Sequence, residues 1–328
     1  MVNMILITGG AGFIGSYLQA ELHARGEETV VVDWLGHEEK WRNLQLHAPS
    51  RVIAPEDLDA FLASKPDIKA VFHMGAISET TATDGDLVWH TNVTLSQKLW
   101  SWCAEQDISF IYASSAATYG AASTREEFSD DPSNLEKLRP LNLYGWSKHV
   151  FDLWVAQQLR DGKKTPKQWA GLKFFNVYGP NEYHKGKMIS VIKVKYDDIS
   201  KGHLAKLFKS DSDSVADGQQ ARDFIWVGDV VDVMLWLYEN PHVNGLFNCG
   251  TGVARTYLDL AYAICDSLGS PREVEFVDMP AQLRGKYQNF TCANMSKIRG
   301  LGYKKEFTTL EDGINIYVKK FLQGSMYY

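Results

Sequence analysis

Met4-Ile-Leu-Ile-Thr8 runs directly into Gly9-Gly10-Ala11-Gly12-Phe13-Ile14-Gly15, and this join decides the fold. The first five residues form an apolar run of strand length, and Phe13 opens an amphipathic stretch that reaches Arg25. Glycines at a strand-to-helix turn let the backbone close tightly and approach a pyrophosphate, whose charge is stabilised by the free N–H groups at the helix N-terminus. Three glycines at this spacing mean little in a chain that has 26; their place between strand and helix is what carries weight. A second apolar run, Val30–Asp33, ends in an acid about 20 residues further on, where a ribose-binding carboxylate belongs in a dinucleotide site. Asp33 suits a ribose 2′-hydroxyl and repels a 2′-phosphate, whereas Lys40 and Arg42 close behind it suit the phosphate. These residues leave NAD and NADP both open.

Outward from that join, short β-branched runs alternate with longer amphipathic ones, the rhythm of βαβ units around a parallel sheet. Further strands are predicted at Ala70–His73, Ile108–Ala113 and Leu172–Asn176, and helices at Leu87–Gln106 and Tyr144–Leu159. The expected fold class is α/β: a Rossmann-type doubly wound parallel sheet over residues 1–176, extended by parts of 223–252. A smaller mixed α/β substrate domain is expected from 177–222 and 253–328. It holds a Lys-rich helix at Met188–Ser200 and a polar loop at Ser210–Gln220.

The chain has 328 residues, 45% apolar and 23% charged, which excludes a disordered protein. Lys plus Arg total 34 against 40 Asp plus Glu, a net charge of −6, so no basic field is present to collect nucleic acid or an anionic membrane. No apolar run approaches the roughly 20 residues that span a bilayer, and Met1–Gly10 lacks the pattern of a secretory signal, so a cytoplasmic location is expected. Cys103, Cys249, Cys265 and Cys292 form no CxxC pair, so neither zinc nor a disulfide framework is indicated. The histidines form no ligand motif, no metal is expected, and His73 and His184 read as turn or core residues.

Tyr144-Gly-Trp-Ser-Lys148 places a phenol and an ammonium on one helix face at i, i+4. With Lys148 and an oxidised nicotinamide beside it, the phenol is expected to titrate below its ordinary value of about 10 and serve as a base. The same spacing recurs at Tyr183–Lys187, but that pair follows Pro180 in a loop. Ser115 lies at the carboxyl end of a predicted strand, where it points into the ligand crevice of such a sheet and can hydrogen-bond a reacting hydroxyl.

Taken together, these residues resemble those of the extended short-chain dehydrogenase/reductases that act on nucleotide-sugars, nearly end to end. The resemblance rests on Gly9–Gly15, Asp33, His73-Met-Gly-Ala76, Asn92, Ser115, Tyr144 with Lys148, Phe175-Asn-Val-Tyr-Gly-Pro180, Arg222-Asp-Phe-Ile-Trp-Val-Gly-Asp-Val230 and Phe247-Asn-Cys-Gly-Thr-Gly252. It implies a cofactor site made of Gly9, Gly12, Phe13, Ile14, Gly15, Asp33, Trp34, Lys40, Met74, Gly75, Ala76, Ser78, Asn92, Lys148, Val177 and Lys185. Three segments look most like the heptose 6-epimerase branch: Ala113–Gly120, His184-Lys185-Gly186 and Leu283-Arg-Gly-Lys-Tyr287-Gln.

That branch implies epimerisation at C6″ of an ADP-heptose, a step in making lipopolysaccharide core precursors, through a transient ketone with a tightly held NADP. Tyr144 and Lys185 would be opposed acid/base groups, Lys148 would hold the nicotinamide ribose, and Ser115 would steady the reacting oxygen. Asn176, Lys187, Phe208 and Tyr287 would touch substrate, Arg222 would grip its diphosphate, and the chain would form a homo-oligomer, often a pentamer. Inversion at one carbon by oxidation and reduction needs a turned substrate or two flanking proton carriers, and Tyr144 with Lys185 supplies such a pair. A guanidinium at Arg222 suits a diphosphate bidentately, unless it is consumed by Asp223 or Asp229.

The pattern is departed from at Trp34, where a smaller polar residue is usual, at Lys187 for a serine, at Val194 for a histidine, and in the long acidic stretch 211–218. A nucleotide-sugar 4-epimerase or 4,6-dehydratase would share the glycine loop, Ser115, Tyr144 and Lys148. A dehydratase needs an acid pair after the strand-end Ser, where this chain has Ala116 and Ala117, and a 4-epimerase has no use for Lys185. A non-catalytic dinucleotide sensor would be expected to lack Tyr144 or Lys148.

Overall fold

The computed structural model describes residues 3–36, 39–212, 214–280 and 288–328. Six parallel strands follow one another along the chain: β1 (Met4–Thr8), β2 (Thr29–Val32), β3 (Arg51–Ile53), β4 (Ile68–His73), β5 (Ser109–Ser115) and β6 (Gln168–Phe174). A seventh, Gly245–Cys249, pairs in parallel with β6. From that strand the spatial order runs β6, β5, β4, β1, β2, β3. The direction of winding therefore reverses between β1 and β4, and a crevice opens there beyond the carboxyl ends of both strands. Ile5, Leu6 and Ile7 are all 0% exposed, which is why β1 reads as a continuous apolar run: both faces of the sheet are covered.

The glycine loop is shaped by contacts that leave no room for a side chain. Gly9 has φ +68°, and a Cβ there would lie 2.5 Å from the Gly75 nitrogen at the end of β4; at Gly15 it would lie 2.2 Å from the Gly9 carbonyl oxygen. The loop and the β4 terminus thus pack backbone on backbone, and the helix Phe13–Ala24 starts directly over the crevice. The long helix Leu143–Arg160 begins at Asn142, whose side chain accepts the Gly145 N–H at 2.8 Å, a cap that fixes where Tyr144 sits.

Several boundaries differ from the sequence expectation. β5 extends to Ser114 and Ser115, and β6 starts at Gln168 and stops before Asn176. The edge strand β3 was not expected, because three residues with two exposed carry no alternation. The stretch expected as one helix at Leu87–Gln106 is broken: Gly85–Val88 and Leu95–Gln106 are α-helical, with a π-helical segment at Trp89–Thr94 between them. That wider turn carries Asn92, whose side chain must reach the Ile77 backbone.

Beyond the sheet, short pairings position single residues. Asn176–Tyr178 runs parallel to Phe224–Trp226, Ala221–Arg222 runs antiparallel to Arg255–Thr256, and Ala205–Phe208 runs parallel to Val274–Val277. The Lys-rich helix is shorter than expected, Val191–Ser200, with Ser190 as its cap. All four cysteines are free and buried, and among the described residues no helix is long and apolar enough to cross a membrane.

Candidate active site

A cleft of about 1120 Å³ runs from the glycine loop across the ends of β1, β4 and β5 to the Arg222 strand. Its cofactor half is lined by Gly9, Gly12, Phe13, Ile14 and Gly15, then by Asp33, Trp34 and Lys40, and on the far wall by Met74, Gly75, Ala76 and Ser78. Asp33 accepts the Ala11 N–H at 2.9 Å and the Lys40 ammonium at 2.7 Å, and Lys40 also donates to the Trp34 carbonyl at 2.7 Å. The acid and the base that argued for different dinucleotides are therefore one ion pair. Arg42 turns to Glu39 instead, while the half-exposed Trp34 donates its indole N–H to Glu56 at 2.8 Å.

These residues fit a dinucleotide. The glycine loop lines the cleft with backbone, and the N-terminal turn of the Phe13–Ala24 helix holds no acidic side chain, so the site accepts a pyrophosphate's charge. The wall behind it is set by a polar chain. Ser96 donates to the Asn92 carbonyl at 2.6 Å, so it accepts from His73 Nε2 at 2.8 Å; His73 Nδ1 in turn accepts the Thr8 hydroxyl at 2.6 Å, and Thr8 Oγ1 accepts the Gly75 N–H at 3.2 Å. Burial, and then the Lys148 charge, push His73 down to about 3. The ring is neutral, as this chain of donors requires.

In the reaction half, Ser115, Tyr144, Lys148, Asn176, Val177, Lys185 and Arg222 all line the same cleft. Ser115 caps the following turn by accepting the Ala117 N–H at 3.1 Å and hydrogen-bonds Tyr144. Burial pushes the Tyr144 phenol up, with the Ser115 bond opposing it. The groups of the chain alone therefore hold the phenol up; the expected lowering was set for a phenol with an oxidised nicotinamide beside it. Lys148, 3% exposed, is pushed down to about 8 by burial against the opposing charge of Asp152.

Lys185 enters from the other side of the cleft on a short 3-10 segment, Tyr183–Met188, its Nζ 5.2 Å from the centre of the Phe13 ring. Burial lowers its ammonium, opposed by Glu182. His184 lines the cleft beside it and contacts Asn43 at 3.2 Å. Arg222 lies over the Tyr257 ring at 5.6 Å. Asp223 takes its bonds from the Thr251, Gly252 and Ala293 N–H groups, and Asp229 takes its bonds from Thr308, so both carboxylates are committed to other donors.

Three of the expected residues lie outside the cleft lining. Asn92 is 0% exposed and does not line the cleft; it grips Ile77 at both its N–H and its carbonyl and so supports the wall instead. Lys187 lies outside the cleft lining although Lys185 is inside, because Gly186, at φ +50° between them, turns the chain. Phe208 ends the Ala205–Phe208 strand away from the lining. Tyr287, with the rest of Leu283–Tyr287, lies outside the described residues. Gln288, the last residue of the singled-out Leu283–Gln288 segment, lines the cleft, and sequence reasoning missed Thr291 beside it, which reaches Asn176 at 3.5 Å. It also missed Asp152, which the i, i+4, i+8 spacing from Tyr144 would have revealed. Among the described residues, no group of three or more His, Cys, Asp or Glu is arranged to hold a metal ion.

Comparison with known proteins agrees with this geometry. Residues 5–250 match the NAD dependent epimerase/dehydratase family. The ADP-L-glycero-D-manno-heptose-6-epimerase of Nitratidesulfovibrio vulgaris is 48% identical over 98% of this chain and 99% of that protein. The protein of that name from Fusobacterium nucleatum is 44% identical over 97% and 98%. The crystal structure of the Helicobacter pylori ADP-L-glycero-D-manno-heptose-6-epimerase superposes with a TM-score of 0.78 at 29% identity, covering 96% of this chain and 95% of that one. The chain belongs to the NAD dependent epimerase/dehydratase family and, within it, to the ADP-L-glycero-D-manno-heptose-6-epimerases.

Proposed function

We propose that the protein inverts C6″ of ADP-D-glycero-D-manno-heptose through a transient 6″-ketone, with Tyr144 and Lys185 as the two proton carriers. The observation that carries this reading is the entry of two proton-transfer groups into one cleft from different elements, Tyr144 on the Leu143–Arg160 helix and Lys185 on the Tyr183–Met188 segment. A nicotinamide held by the glycine loop and Lys148 would supply reversible hydride exchange at C6″. The residues of the chain manage the proton. As C6″ is oxidised, its hydroxyl proton passes to one carrier; as the ketone is reduced, the alkoxide takes a proton from the carrier on the face then presented. Ser115 holds the oxygen in both directions, and Lys148 holds the ribose and stabilises the Tyr144 phenolate.

Arg222 and Asn176 orient the nucleotide-sugar, the first by pairing with the diphosphate. We assign NADP as the cofactor, because Lys40 pairs with Asp33 and so offsets the carboxylate that would repel a 2′-phosphate. Buried free cysteines suit the reducing cytoplasm, and assembly into a homo-oligomer is tested by sedimentation. The activity test is incubation of the purified protein with ADP-D-glycero-D-manno-heptose and no added cofactor, followed by proton NMR at C6″. An equilibrium mixture of the two epimers is expected; unchanged substrate with folded, cofactor-loaded protein would refute the assignment.

A further inference from the structure

Directly behind the Ser115 turn lies a buried ion pair that the roles above leave unused. Lys173 Nζ stands 2.7 Å from Asp152 Oδ2, and the two side chains are 1% and 0% exposed. Asp152 follows Tyr144 and Lys148 at i+8 and i+4, on the same face of their helix. Lys173 lies on β6 as the cross-strand neighbour of Ser114.

The pair reaches Ser115 from both sides. Asp152 accepts the Ser114 hydroxyl at 2.7 Å, bonding the residue before Ser115. Lys173 donates to Thr118 Oγ1 at 2.8 Å, and the Thr118 hydroxyl donates to the Ser115 carbonyl at 2.8 Å. Tyr112 adds a third donor to Asp152 at 3.0 Å. It fits only because Gly171 faces it: a Cβ there would meet the Tyr112 ring at 2.4 Å. A buried ion pair is a poor way to gain stability, since an apolar pair of the same volume is often as good or better. Its place, touching the turn that holds Ser115 and the helix that holds Tyr144 and Lys148, points to geometry instead.

We propose that Asp152 and Lys173 are positioning residues, a charged bolt that fixes the Ser115 turn against the Tyr144/Lys148 helix at the distance the proton transfer needs. This rests on the roles proposed above for Ser115, Tyr144 and Lys148. It is tested with the double variant Asp152→Leu/Lys173→Met, which keeps the interior neutral. KM stays near wild type, while kcat falls about 10- to 100-fold, the scale of a misplacement of about 1 Å. Wild-type kcat in a folded double variant overturns the proposal.

Should that variant fail to fold, Thr118→Val cuts only the link from Lys173 to the Ser115 carbonyl. It lowers kcat with KM unchanged, and Thr118→Ser restores the rate; equal rates in wild type and Thr118→Val overturn the proposal. Tyr144→Phe is measured alongside. Full activity there sinks the acid/base reading, a failure distinct from a fully active bolt variant beside an inactive Tyr144→Phe.

Discussion

Replacing Gly9 by alanine tests whether backbone-on-backbone contact at the winding reversal makes the cofactor site. Two costs add. Gly9 has φ +68°, and a left-handed conformation costs a residue with a Cβ about 1–2 kcal/mol. The new Cβ would also lie 2.5 and 2.6 Å from Gly75 nitrogen and Cα and 2.8 Å from the Met74 carbonyl carbon. These are backbone atoms, so relief means moving the glycine loop away from the end of β4. Overpacking of that kind costs about 1–3 kcal/mol. The sum, about 2–5 kcal/mol, falls on the loop that binds the pyrophosphate, so NADP should bind at least about 30-fold more weakly at 1.4 kcal/mol per decade. Gly26→Ala is the control, because Gly26 has φ +74° and nothing within 4 Å of a Cβ. It carries the backbone cost alone and should lower the melting temperature slightly with NADP affinity unchanged. Calorimetric titration of cofactor-stripped protein reads both. Binding by Gly9→Ala within threefold of wild type would refute the reasoning.

Tyr144→Phe and Lys185→Met should each lower turnover by about 10²- to 10⁴-fold with cofactor content unchanged, measured by NMR at C6″; a wild-type rate in either shows that its face needs no side-chain proton carrier. Lys40→Ala removes a charge-assisted contact of about 1.5–3 kcal/mol, so NADP affinity should fall about 10- to 100-fold while NAD affinity holds. Lys148 is pushed down to about 8 from its ordinary 10.5, so its ammonium is nearly complete below about pH 7, half lost at about pH 8 and gone about one unit higher. NADP affinity of the stripped protein should be flat up to about pH 7, weaken through 8, and lose that limb in Lys148→Met.

Much of this is legible in the sequence. β1 reads correctly to the residue because a strand covered on both faces has to be an unbroken apolar run ending where the glycine turn starts. Tyr144 and Lys148 are legible because residues four apart share a helix face, so the spacing alone puts them together. What escaped depends on contacts distant in sequence. Asn92 reads as one more polar residue in a helical stretch until the Ile77 backbone is seen across from it. Lys185 and Lys187 both read as site residues until Gly186 turns one away from the cleft. Lys173 looks out of place in a buried strand until Asp152, 21 residues away, is set beside it.

The central claim is that C6″ is inverted by removing and returning its own hydrogen while Tyr144 and Lys185 move only the hydroxyl proton. Running the reaction in deuterium oxide and reading C6″ by NMR tests it most directly. The account predicts both epimers with protium retained at C6″ and no accumulation of reduced cofactor; solvent deuterium at C6″ would contradict it, because the carbon-bound hydrogen would then have exchanged as a proton.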